Sequence, residues 1–121
     1  MKQAVRKFQY VATPKFSHFD FPKAQSLVAC ILPDNAAVLS VAVVVNTPAQ
    51  AGITLDVGLN ATQDFFLNDI KLSEKGTKIS SEKVITNGRS EITILPSSAL
   101  TQGDFSVIVE FALPTTYDYE V

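Results

Sequence analysis

Catalysis needs groups that can move a proton, attack a carbon or bind a metal, and this 121-residue chain is short of all three. His18 is its single histidine, so a triad or metal cluster built on imidazole has one candidate and no second. Its plainer role is that of a partly exposed polar residue on a strand. Cys30 lies in the apolar run Leu27-Val-Ala-Cys-Ile-Leu32, with no second cysteine to pair with. It reads as a small buried hydrophobe whose thiol is kept neutral and inert by burial. Oxygen donors of the kind calcium prefers gather in Asp56, Asn60, Asp64, Asn68 and Asp69, but their spacing matches no calcium loop, and turn and cap roles account for them. Asn60-Ala-Thr62 has the form of a glycosylation sequon, with no secretory route to give it meaning. A glycine-rich phosphate loop, a paired-cysteine motif and a basic stripe are all missing from the sequence. The expectation is a protein that is not an enzyme and uses neither metal nor cofactor.

The aromatic residues carry more information. Phe8, Tyr10, Phe16, Phe19, Phe21, Tyr117 and Tyr119 all fall in the two terminal segments, outside the strands that the apolar pattern assigns to a core. Rings left outside a core mark protein contacts more often than sugar contacts, and the sequence has no tryptophan, the usual sugar platform. These seven residues are therefore the candidate interface between subunits. A carbohydrate- or receptor-binding surface is the alternative.

Positioning such a surface requires a fold, and the composition bounds it. Hydrophobic residues make up 46% of the chain against 18% charged, enough for a single core without disulfide or metal. A net charge of -2 offers no field for a phosphate backbone, so no nucleic-acid partner is expected. The basic N-terminus lacks the apolar stretch of a signal peptide. Pro33-Asp34-Asn35 interrupts the most apolar window well short of a membrane span, so no membrane partner is expected either, and a soluble cytoplasmic product is the expectation.

Read in order, residues 4–11 form an edge strand within an N-terminal arm of residues 1–22. Phe16-Ser-His-Phe-Asp-Phe21 reads as a strand with aromatics on both faces, ended by Pro22. Ser26 to Leu32 and the strand following Pro33-Asp34-Asn35 read as a hairpin. That second strand is the centre of the pattern: Leu39, Val41, Val43 and Val45 alternate with the smaller or mixed Ser40, Ala42, Val44 and Asn46, a period of two with branched residues. Residues 53–59 alternate in the same way. Residues 60–70 break the alternation and are expected to be irregular or a single turn capped by Asp64. Residues 71–78 are expected to be a solvated loop with a short strand. Asn87-Gly88, between Lys83-Val-Ile-Thr86 and Arg89 to Leu95, is the strongest short hairpin signal in the chain. After a loop at 96–103, residues 104–113 form a last long strand with Phe105, Val107, Val109, Phe111 and Leu113 inward. Residues 114–121 form a tail. Val44 and Ile108 stand on otherwise small or polar strand faces, which points to a neighbour covering part of the exterior. The expected architecture is all-β, a single antiparallel β-sandwich of about eight strands and jelly-roll type, spanning 1–121.

The stretch Ile31 to Thr47, then Gly52-Ile-Thr-Leu-Asp-Val-Gly58, then Gly103 with Phe105-Ser-Val-Ile-Val-Glu-Phe111, resembles a small β-sandwich protein of tailed bacteriophages and prophages over residues 26–113. The shared features are a Leu-Pro turn, a Val-Leu-Ser-Val strand, a Thr-Leu-x-Val-Gly strand and a closing Val-x-Val-Glu-aromatic strand. Pro48-Ala-Gln50 departs from that pattern, where an aromatic often follows the threonine. The resemblance implies a virion structural subunit, of head-decoration, head-fibre or tail-associated type, without catalysis. It also implies self-association, a trimer being favoured, and contacts with other virion proteins.

Overall fold

The computed structural model describes residues 2–118, with the backbone alone for 2–8 and 114–118. The strands are β1 (Lys2–Ala12), β2 (Lys15–Ser17), β3 (Leu27–Leu32), β4 (Ala37–Thr47), β5 (Thr54–Leu59), β6 (Thr62–Lys71), β7 (Gly76–Ile79), β8 (Val84–Ile85), β9 (Ser90–Pro96) and β10 (Asp104–Asp118). They form two sheets. One runs β1-β10-β4-β7, with β2 beside β10 and β8 beside β4; the other runs β3-β9-β5-β6. The pairings are nested: β5 with β6 innermost, then β4 with β7 and β8, then β3 with β9, and β1 with β10 outermost, all antiparallel. A long two-stranded ribbon rolled into two facing sheets is a jelly roll, and the two inner faces share one core.

The alternation read from the sequence builds that core. Val41, Val43 and Val45 of β4 stand opposite Val109, Val107 and Phe105 of β10, and all six are buried. Leu39 departs from the expectation. A register shift leaves it as an extra residue opposite β10, the phase of β4 flips, and Val38 goes inward in its place. Ile53, Leu55 and Val57 bury as their pattern implies.

Neither hairpin expected from turn residues forms. β3 and β4 lie in different sheets, and so do β8 and β9 on either side of Asn87-Gly88. The reason lies at the corner where both connections cross between the sheets side by side and bond to each other. Asn35 N–H donates to the Thr86 carbonyl (3.1 Å) and Thr86 N–H to the Ala36 carbonyl (2.9 Å). The Thr86 hydroxyl donates to the Pro33 carbonyl (2.7 Å) and accepts from Ala36 N–H (2.9 Å). Gly88, at φ 82°, donates its N–H to the Asp34 carboxylate (2.7 Å). Each turn thus finds its partners in the other turn, and the nested pairing overrides both local signals.

Two further segments differ from expectation. Residues 60–61 are a turn, with Asn60 at φ 53°, but 62–70 are not irregular and belong to β6, whose alternation is hidden by register shifts. Leu67 pairs with Val57 and Ile70 with Leu55, a step of three against two, with Asp69 at φ 50° and its N–H bonded to the Asp56 carboxylate (2.8 Å). Asp64 caps nothing there, being an exposed strand residue. Residues 16–21 are not a continuous strand, because Ser17 caps a 3-10 turn over His18–Asp20. The Ser17 hydroxyl accepts from Phe19 N–H (3.3 Å) and the Asp20 carboxylate from Ser17 N–H (2.8 Å). That turn redirects the chain so that Phe21 points into the core.

Candidate assembly surface

The turn at His18–Asp20 divides the aromatic candidates. Phe21 has no exposure, and Phe16 packs against it (ring centroids 6.1 Å apart) and against Phe105 (5.6 Å). Phe21 is therefore a core residue, a correction to its reading as an interface ring, and Phe16 is a half-buried ring packed against the core. Phe19 is 81% exposed, with the His18 ring 4.0 Å away. Tyr10 is 44% exposed and stacks on Phe111 at 5.5 Å. The side chains of Phe8 and Tyr117, and the whole of Tyr119, lie outside the described residues. The seven candidates do not converge on one patch.

A different surface does converge. Cross-strand partners share a face, so the residues between the buried pairs of β4 and β10 form the outer side of their sheet. One row on that side is Ile108, Ala42 and Ile79; the next is Lys15, Ser106, Val44 and Thr77. Beyond them come Val11, Glu110 and Ser40, and then Ala112, Ala37 and Ile85. Ile79 is 66% exposed, Val11 57% and Ile85 55%, while Val44 and Ile108 are half-buried by their neighbours. Ala37, Ala42 and Ala112 between them are small and buried. The charges in these rows are Lys15 and Glu110, and the Glu110 carboxylate is approached by the Gln9 amide at 3.4 Å. Of these residues the sequence pointed to Val44 and Ile108. Ile79, Ile85 and Val11 were missed because β7 and β8 are too short to show a period and the pairing that gathers them is long-range.

Of the oxygen donors weighed for calcium, Asp56 and Asp69 meet, with the Asp56 carboxylate taken up by the Asp69 N–H (2.8 Å). Among the described residues no group of three or more His, Cys, Asp or Glu is placed to hold a metal ion. Cys30 is half-buried, burial pushes its thiol pKa up, and the thiol lies 3.8 Å from the Ile31 carbonyl. A shallow cleft of about 340 Å³ is lined by Lys15, Phe16, Ser17, Asp20, Asn46, Asp104 and Phe105. Its Asp20 carboxylate is committed to the turn and its Asn46 amide reaches the Ser106 hydroxyl at 3.4 Å.

No protein-family model matches the chain, and no curated protein does. Among solved structures it is similar to a chain of the acid-stable capsid of Helicobacter pylori bacteriophage KHP30, with a TM-score of 0.74 and 20% identity over 98% of this chain and 100% of that one. It is also similar to a chain of the cyanophage Pam1 capsid asymmetric unit (TM-score 0.69, 18% identity, 88% of this chain and 85% of that one). A third likeness is to a chain of the capsid of Ralstonia phage GP4 (TM-score 0.62, 14% identity, 88% and 86%). At these identities the likeness establishes the fold. The first match spans nearly the whole of this jelly roll.

Proposed function

We propose that the protein is a non-enzymatic structural subunit of a phage or prophage virion, a decoration or assembly component of the head that acts through protein–protein contacts. The observation that carries this reading is the end-to-end match to a small chain of a phage capsid. The sequence resemblance to small phage β-sandwich proteins, drawn from residues 26–113, points the same way. The outer face of the sheet β1-β10-β4-β7 supplies the contact surface. Half-exposed branched residues with few charges among them are the composition of a lasting interface between like subunits, which are more apolar and poorer in charge than transient ones. The subunit self-associates through this face, as a trimer.

The test is to delete the gene from the phage or prophage that encodes it and compare purified particles by mass spectrometry and thermal challenge. The reading predicts the chain in wild-type heads at a fixed ratio to the shell protein, and heads that lose their genome at lower temperature without it. Wild-type particles that contain none of the chain would refute the reading.

A further inference from the structure

The sheet that contains β10 is longer than the sandwich. β4 follows β10 only as far as the Ala37–Ala112 pair, whereas β1 continues alongside it from Phe8–Leu113 to Lys2–Asp118. Beyond residue 112 the β1–β10 pair is therefore a ribbon of two strands. Such a ribbon is marginal in water and becomes stable when a third strand or a covering layer completes it.

β1 offers that third strand the longest open edge in the fold. It is 11 residues long and its only sheet partner among the described residues is β10. β1 carries one register shift of its own, between Arg6 and Phe8, and the other outer strands are shorter or more heavily interrupted. β3 has six residues with a register shift at 28–30, and β6 has two shifts and a positive φ at Asp69. β7 has four residues, with Lys78 opposite the core residue Val43.

Charge selects the occupant. Residues 1–19 contain Lys2, Arg6, Lys7 and Lys15 and no acidic residue; the other 102 residues hold the remaining six basic residues and all 12 acidic ones. We infer that the free edge of β1 receives an extended, acidic segment of a different protein, which adds as a strand through main-chain hydrogen bonds and is favoured by the positive charge that Lys2, Arg6 and Lys7 give this strand. A second copy of β1 is disfavoured because it would set these cations against their own kind. In the virion reading, on which this inference rests, the donor of that segment is the shell on which the subunit sits.

The experiment uses the full chain and a soluble eight-residue peptide of alternating Glu and Val as probe, with alternating Lys and Val, the acidic peptide broken by proline, and a short single-stranded DNA as comparisons. Binding is read by fluorescence anisotropy, and amide exchange is followed at residues 2–12. The acidic peptide is expected to slow exchange along β1 at least tenfold, and to lose its binding at high salt and in the variant K2E/R6E/K7E, while the basic and proline-broken peptides do not bind. No slowing by the acidic peptide at millimolar concentration, or DNA binding more tightly than it, overturns the inference. Light scattering on the same triple variant keeps the two claims separate: retained self-association leaves the assembly face intact whatever happens at the edge.

Discussion

The two outer faces of this sandwich are covered differently. On the sheet β3-β9-β5-β6 the outward residues include Asp56, Glu91 and Thr93, with the half-buried Leu95 beside Asp56 and the exposed Val28 and Ile31 on the edge strand β3. Arg89 closes a 3.2 Å ion pair with Glu91, and the start of β6 presses so closely on Gly58 that an added Cβ would run into the backbone of Thr62 and Gln63. This face satisfies itself with its own polar groups and its own chain. The opposite face sets Ile79, Ile85, Val11, Val44 and Ile108 around small alanines and provides no such cover. A fold needs only its inner faces to be apolar, so a second apolar face reports on what the folded unit must meet.

The contrast is broken most directly by charge placed on each face. Ile79→Lys with Ile85→Lys is expected to weaken self-association by about 100-fold or more, while Val28→Lys with Ile31→Lys changes it by less than about threefold, both read by sedimentation. All four positions are exposed, so each pair is expected to leave folding stability within about 1 kcal/mol. Gly58→Ala probes the covered face, and the forced shift of the β6 backbone is expected to cost roughly 2–3 kcal/mol in urea unfolding without altering association. Thr86→Val probes the corner that holds the two sheets in register. It leaves the Pro33 carbonyl and Ala36 N–H without their side-chain partner, an expected loss of about 1–3 kcal/mol.

A smaller effect comes from Cys30 on the inner side of β3. Its thiol pKa is raised by burial, so the folded state holds the proton after the unfolded chain has released it. Stability is then full below the ordinary thiol pKa and declines as pH rises from there through the folded value. Denaturation at neutral and alkaline pH, with Cys30→Ser as control, is expected to show that decline in the wild type alone.

How much of this could be read from the sequence follows from the range of each interaction. Strands with an unbroken period of two, such as 41–45, 53–57 and 105–109, were legible because burial of one face writes itself directly into the residues. The 62–70 strand was hidden by its bulges, and the hairpins at 33–35 and 87–88 were read from turn chemistry that serves a sheet-to-sheet corner equally well. Phe21 looked like a surface ring because a capped 3-10 turn, invisible to a two-residue period, carries it inward, and Phe16 because the short β2 that packs it against the core pairs with distant β10. The assembly face was half legible. Val44 and Ile108 broke the small-polar rule on long strands, but Ile79 and Ile85 join them only through pairings between distant parts of the chain.

The account stands on the outer face of the β4 sheet being a contact surface for copies of this chain. Sedimentation velocity of the wild-type protein beside Ile79→Lys/Ile85→Lys tests it most directly. The account predicts an oligomer for the wild type and a folded monomer for the variant. A wild type that sediments as a monomer at the highest concentration it tolerates, or a variant that keeps the oligomer, would contradict it.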